Sequence, residues 1–363
     1  MDSGEVIPVK LAGESYDITV RPGLLAEAGS IVRGLTKSAK AIIVTDSHVG
    51  PLHVANLAAS LASAGLTSIT VTIPAGEDHK TLADLLPAYD RILPAGIERS
   101  TPILALGGGV IGDMAGFLAS TLLRGVPFVQ IPTTLLAMVD ASVGGKTGVN
   151  HAAGKNLIGA FHQPIAVLID PATLKTLPPD QIRSGLAECI KHDIIRDQRG
   201  FEHLENNIQR ALNLDIAYLT ELIAHNVAIK ARVVEQDQFE HGERAHLNFG
   251  HTFGHAIETV SHYSYSHGEC VAMGMTAASF MAQRLKMIDE PQYKRIVSVI
   301  EKTGLPTRGL KLDTAAVVGA MSHDKKVKSG KLRFILPDKI GHVIIRDDVP
   351  ADLVTAAVES LKG

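Results

Sequence analysis

The sequence predicts an amino-terminal α/β domain with a parallel, nucleotide-binding sheet, followed by a mainly α-helical carboxyl-terminal domain. Three observations carry this. Apolar runs that end in polar residues, AIIVTDS at 41–47 and TSITVTIP at 67–74, alternate with helical stretches in a βαβ rhythm. The strand-like ILAL runs into Gly107, Gly109 and Gly112, a GxGxxG that opens a helix. Beyond Pro178-Pro179 the pattern turns helical, which sets the expected domains at 1–177 and 178–363.

Composition narrows the class. A chain of 363 residues exceeds the usual single-domain size. Its 45% hydrophobic and 20% charged residues suit a globular fold, and no apolar run approaches the ~20 residues of a membrane span. A net charge of −3 argues against a nucleic-acid surface, so any anionic ligand must be met by locally clustered Lys and Arg. The start lacks the basic and apolar regions of a secretory signal, and the two cysteines, Cys189 and Cys270, suit a reducing cytosol. A cytoplasmic protein with neither membrane nor nucleic-acid partner is the expectation.

Taken in order, residues 5–20 alternate as two short strands, and a helix near 23–34 leads to the strand at 41–47. A helix at 51–65, the strand at 67–74, PAGEDHKTL and another helix follow. Ligands of such a sheet bind at its carboxyl edge. The glycines of the GxGxxG allow backbone to approach a pyrophosphate, and the helix amino end offers N–H groups. The motif departs from the dinucleotide fingerprint: it is not at the first βα turn, and no Asp or Glu stands about 20 residues on. Asp113 follows directly instead, and a tight packing turn is the alternative reading.

The densest glycine and polar stretch is FVQIPTTLLAMVDASVGGKTGVNHAAGKNLIGAFHQP. GGKT suggests a phosphate loop, but Asp140 stands where GxxxxGK[ST] needs Gly. What survives is Lys146 and Lys155 in glycine-rich backbone, with Asn156 beside them and Arg124 upstream. Charge and backbone N–H groups of this kind suit a phosphate; flexible surface lysines are the alternative.

In the helical part, Ser184 reads as the cap of SGLAECIKHDII, which sets Glu188, Lys191 and His192 on one face, as a surface ion-pair cluster would be. A long helix at 214–235 carries Lys230 in the apolar run VAIKARVV. The segment 244–269 reads as a helix and a short loop. On that helix Arg244, Asn248, His251 and His255 share one stripe, opposite Phe249, Phe253, Ala256 and Val260. Gly250 and Gly254 lie between, each costing about 1 kcal/mol relative to Ala, which points to close approach. The i, i+4 pair His251 and His255, with His267 downstream, has the makings of a divalent-metal site. Further helices, the solvated lysine turn at 325–331, a hairpin-like strand pair to Val349 and a terminal helix complete the chain.

These residues resemble the 3-dehydroquinate synthases, within the sugar phosphate cyclases. The matching stretches are GGGVIGDMAGF, LLRGVPFVQIPTTLLAMVDASVGGKTGVN, GKNLIGAFHQP, GLAECIKH, LNFGHTFGHAIE, HGECVAMGM and HDKKVKSGKLRFIL, in order from 107 to 336. The resemblance implies an NAD-binding α/β domain, a helical domain, a site in the cleft between them and a homodimer. It implies the second step of the shikimate pathway, cyclisation of a seven-carbon keto-acid sugar phosphate with loss of phosphate. By resemblance the ligands of one divalent ion, zinc or cobalt, are Glu188, His251 and His267, which moves His255 from the metal to the substrate phosphate. Lys146, Asn156, His255 and Lys326 resemble substrate and phosphate ligands, and Arg124 an arginine that reaches the partner subunit's site. Lys230, Arg244 and Asn248 resemble the carboxylate-recognising group, and Asp140 and Lys191 complete the catalytic cluster with Lys146 and His255. Gly107, Gly108, Gly109, Asp113, Thr133 and Thr134 match cofactor contacts, with Asp46, Glu77, Lys80, Lys146 and Lys155 assigned beside them.

Two other classes stand against this. A metal-dependent polyol or alcohol dehydrogenase of similar architecture needs the metal and NAD but not the Lys146, Lys155 and Lys326 group. A nicotinamide- or metal-sensing binding module predicts missing ligands, and none is missing from the sequence.

Overall fold

The computed structural model describes residues 4–240, 242–322 and 332–363. These residues divide into two compact units, 1–178 with 216–239, and 179–215 with 240–363.

The strands of the first unit are β1 (Glu5–Val9), β2 (Tyr16–Val20), β3 (Lys40–Asp46), β4 (Thr67–Ile73), β5 (Ile103–Gly107), β6 (Phe128–Pro132), β7 (Lys146–His151), β8 (Gly154–Phe161) and β9 (Ala166–Ile169). Seven of them form one sheet in the order β1-β2-β9-β6-β5-β3-β4. Only the β1–β2 pairing is antiparallel. The near-continuous apolar runs are required because helices cover both faces. On one face Ile42, Val44, Ile103 and Ala105 pack with Leu85 and Ala88 of α3 (Leu82–Ile92) and with Met114 and Leu118 of α4 (Gly109–Thr121). On the other, Ala41, Ile43, Leu104 and Leu106 pack with Val32 of α1 (Ala28–Leu35) and Leu57 and Leu61 of α2 (Gly50–Ser63). The glycine-rich stretch after β6 folds as a short π-helix, Ala137–Ala141, and then the antiparallel hairpin β7–β8.

The second unit holds α5 (Pro179–Arg196) and α6 (Gln198–Leu212). The next helix, α7 (Ile216–Gln236), belongs to the first unit, so the chain does not divide into the two uninterrupted segments expected from the break at Pro178. The physical reason is that α7 buries its apolar face along β1, where the Lys10 N–H also donates to Glu235 at 2.7 Å. The second unit resumes with α8 (His251–Val260), α9 (His267–Arg284), α10 (Glu290–Lys302) and α11 (Thr314–Ser322), then the hairpin β10 (Phe334–Lys339) and β11 (His342–Arg346), and α12 (Ala351–Glu359). Among the described residues no helix is long and apolar enough to cross a membrane.

Two local expectations are corrected. Residues 244–260 are not one helix: a 3-10 turn over Glu243–Asn248 ends at Gly250, whose φ of 78° is left-handed, and α8 starts afresh at His251. Close approach causes the break. A Cβ on Gly250 would lie 2.8 Å from Met275 Cγ, and one on Gly274 only 2.0 Å from the Gly250 carbonyl, so α8 and α9 touch backbone to backbone. Ser184 does not cap its own helix, which begins at Pro179; its hydroxyl accepts instead from the Gly268 N–H at 3.1 Å, in the first turn of α9.

The contact predicts a contrast between two helical glycines. Gly274→Ala should lower the melting temperature and destabilise by about 1–3 kcal/mol through overpacking. Gly319→Ala, with nothing within 4 Å of the new methyl, should be neutral or stabilising by about 0.5–1 kcal/mol. Thermal unfolding of both variants checks this, and the reverse ranking would contradict the packing.

Candidate metal centre and anion-binding residues

The candidate metal-ligating atoms come from three helices of the second unit. Glu188 lies in mid-α5 and is 1% exposed, while His251 and His267 are the first residues of α8 and α9. The crossing of α8 on α9 brings the two rings to 5.5 Å between centroids. Glu188 Oε1 is 3.2 Å from His267 Nε2 and 3.7 Å from His251 Nε2, and one ligand atom from each of the three residues lies within 4.8 Å of the others. Two imidazoles and a carboxylate leaving open positions make a donor set suited to a catalytic divalent ion such as zinc. The surface ion-pair reading of this helix is overturned, because Lys191 is 1% exposed and His192 fully buried, with the Lys191 ammonium paired to Glu188 Oε2.

Electrostatics separates the two histidines. Burial, reinforced by Lys191, pushes His251 well below its usual range, leaving it neutral and able to ligate. His267 is also opposed by burial, but hydrogen bonds to Glu188 and Glu258 prevail and raise it to about 10. Its Nδ1 is 3.0 Å from Glu258 Oε1, so both ring nitrogens face carboxylates. The proton on Nε2 therefore occupies the direction in which a metal would bind. Cys189 is inert, its thiol pushed well up by burial and by the Asp193 and Glu188 charges.

In the first unit Asp46, Gly107, Gly108, Gly109, Thr133 and Thr134 lie at the carboxyl ends of β3, β5 and β6. Gly107 closes β5, and Gly108 and Gly109 open α4. A Cβ on Gly108 would sit 3.1 Å from Thr134 Cγ2, while Gly112 packs its backbone against the Gln130 side chain. Thr133 is 3% exposed, and its hydroxyl has no hydrogen-bond partner among the described residues. A buried, unmatched hydroxyl beside a glycine turn at a helix amino end fits a bound nucleotide. Asp113 is on the first turns of α4, and burial raises its carboxyl against the pull of Lys80. The Lys80 ammonium donates to Asp113 at 2.5 Å and to the Asn156 side chain at 2.6 Å, tying the first turns of α4 to the β7–β8 hairpin. Asn156 itself holds a left-handed φ of 54°.

The remaining placements are more varied. Glu77 accepts from Asn150 at 2.8 Å and stands 3.9 Å from Lys155. Asp46 ends β3 and is engaged locally, accepting from the His48 and Val49 N–H groups at the start of α2. Lys146 and Arg124 are exposed, Arg124 with a left-handed φ of 68°. Buried Lys230 pairs with the Asp140 carboxylate at 2.8 Å and also donates to its carbonyl. In the second unit Arg244 is buried, Asn248 donates to Glu240 at 2.9 Å, and His255 meets His251 edge to face at 5.3 Å. Lys326 lies outside the described residues. Sequence reasoning missed Glu258 and Ser184 as partners of the α9 terminus, since neither stands at a motif spacing from what it contacts.

A sheet unit with a glycine turn at a helix amino end, and a helical unit in which two histidines and a glutamate converge, suit an enzyme that uses a nucleotide and a divalent ion. Comparison with known proteins resolves the class. The model of the 3-dehydroquinate synthase N-terminal region matches residues 70–184, and that of the C-terminal region matches 185–327. A 3-dehydroquinate synthase from a Synechococcus species is 48% identical over 98% of both chains, and one from Acidithiobacillus ferrooxidans 45% identical over 97% of both. The chain belongs to the 3-dehydroquinate synthase family. Among solved structures, a 2-epi-5-epi-valiolone synthase from Streptomyces hygroscopicus with NAD+ and Zn2+ bound is similar at a TM-score of 0.89 and 31% identity, covering 97% of this chain and 98% of that one. An iron-containing alcohol dehydrogenase from Thermotoga maritima, at 15% identity, a TM-score of 0.68 and 99% of each chain, shares the fold alone.

The raised His267 pKa sets a pH dependence. In the metal-free protein the charged ring contributes stability fully below about 6.5, and that contribution is lost as pH rises through about 10. Zn2+ binding near pH 7.5 should therefore release roughly one proton. Calorimetry in buffers of different ionisation enthalpy measures it, and metal binding without proton release would contradict the His267 assignment.

Proposed function

We propose that the protein acts as a 3-dehydroquinate synthase, a carbon–oxygen lyase that converts 3-deoxy-D-arabino-heptulosonate 7-phosphate to 3-dehydroquinate and phosphate. That reaction is the second step of the shikimate route to aromatic amino acids. The observation that carries the proposal is kinship along the whole chain with proteins of that name, joined to the convergence of Glu188, His251 and His267. NAD and one divalent ion, zinc or cobalt, are its cofactors. The valiolone synthase carries NAD+ and Zn2+, and a 2-deoxy-scyllo-inosose synthase at 26% identity carries NAD+ and Co2+. A cytoplasmic homodimer, with no nucleic-acid or membrane partner, rests on the family resemblance and on the composition.

When bound, the nicotinamide takes and returns a hydride, and the divalent ion lowers the pKa of a substrate alcohol and draws charge from the ketone that replaces it. The chain's own residues do the rest. Glu188, His251 and His267 hold the ion, and Lys191, paired with Glu188, keeps the ligand carboxylate in place. Lys146, Asn156, His255, Lys326 and Arg124 neutralise the substrate phosphate, so that elimination next to the ketone releases it without building unscreened charge. Lys230, Arg244 and Asn248 bind the substrate carboxylate, with Asp140 orienting Lys230. The Lys80 bridge from Asp113 to Asn156 fixes phosphate ligand and cofactor turn together. After reduction the ring opens, and the aldol closure is intramolecular, favoured by the fixed geometry in which the chain holds both ends of the product.

Two outcomes test this. Many phosphates should be released per NAD supplied, with no NADH build-up; release in proportion to accumulated NADH would return the assignment to a dehydrogenase. Arg244→Gln should lower kcat/KM by about 10–100-fold, the worth of a charged hydrogen bond, and leave Zn2+ affinity unchanged. Parallel loss of metal binding would remove Arg244 from carboxylate recognition.

A further inference from the structure

We propose that Glu258 is a positioning residue of the metal centre. Its carboxylate fixes the tautomer and ring orientation of His267 and supplies the second negative charge that a divalent ion requires there. The inference rests on Glu188, His251 and His267 being the metal ligands. Glu258 lies on α8 seven residues after His251, and at about 100° per residue that spacing returns it to the same helix face, two turns along. It is 5% exposed, with Oε1 3.0 Å from His267 Nδ1. An Nδ1–H held by that carboxylate leaves the Nε2 lone pair for the metal, on the side where Glu188 Oε1 stands at 3.2 Å.

The two histidines are supported unequally. His251 donates its Nδ1–H to the neutral carbonyl of Phe249 at 3.1 Å, whereas His267 has a full carboxylate. Charge explains the difference. The Lys191 ammonium is paired with Glu188, which weakens that carboxylate's pull on a cation. Both histidines also open helices, so the partial positive charge of two helix amino ends meets the ion. Glu269, on the first turn of α9, is taken up by the Ser266 capping box. Glu258 contacts the His267 ring on the Nδ1 side, away from Glu188, and its charge offsets this positive surround. Histidine ligands backed by a carboxylate are more basic and better held, and losing such a partner typically costs 10–100-fold in affinity.

The test measures Zn2+ dissociation constants by chelator competition on wild type, Glu258→Gln, Glu258→Ala and Glu188→Gln, with circular dichroism of each apoprotein to confirm folding. The Co2+ forms are compared by visible absorption. Glu258→Ala should weaken Zn2+ by about 10–100-fold and shift the Co2+ bands. Glu258→Gln, which keeps an acceptor oxygen but loses the charge, should fall between it and wild type. Wild-type affinity in both Glu258 variants would overturn the proposal. Failure of the ligand assignment looks different: Glu188→Gln would then bind Zn2+ as wild type does, and Glu258 would lose its role with it.

Discussion

The backbone-to-backbone crossing of α8 on α9 is the contact on which the metal centre depends. Gly250, Gly254 and Gly274 leave no Cβ between the helices, and a methyl at Gly274 would lie 2.0 Å from the Gly250 carbonyl. Ser184 of α5 accepts from Gly268, so the helix bearing Glu188 is docked against the same end of α9. The candidate donors are thus fixed by packing of regular elements rather than by loops, which is how a site keeps its geometry to fractions of an ångström.

Charge is arranged as tightly as shape. Glu188 and Lys191 are each 1% exposed and paired with each other, as buried charges must be. In the first unit Lys80 and Asp113 form a comparable pair, and Lys230 and Asp140 another. Each cation is therefore oriented before any anionic substrate arrives, so less ordering is needed at the moment of binding.

Much of this was legible in the sequence. The strands at 41–47 and 67–74 follow from runs that a doubly covered parallel sheet requires, and the turn after β5 from its GxGxxG. The assignment of Glu188, His251 and His267 as ligands came from resemblance, since i, i+4 spacing alone favours His255, and these three residues converge in the structure. Spacing also misread 244–260 as one helix, because a left-handed glycine inside a periodic pattern leaves the period intact while redirecting the chain. The place of α7 depends on which apolar surface its face meets, and no local pattern states that. Glu258 and Ser184 were invisible for the same reason: their partners are nine and eighty-four residues away.

The most direct measurement is anomalous scattering at the zinc edge from crystals of the Zn2+-loaded enzyme. One strong peak is expected about 2.0–2.2 Å from Glu188, His251 Nε2 and His267 Nε2. A peak held by His251 and His255 without Glu188, or none in this unit, would contradict the ligand assignment.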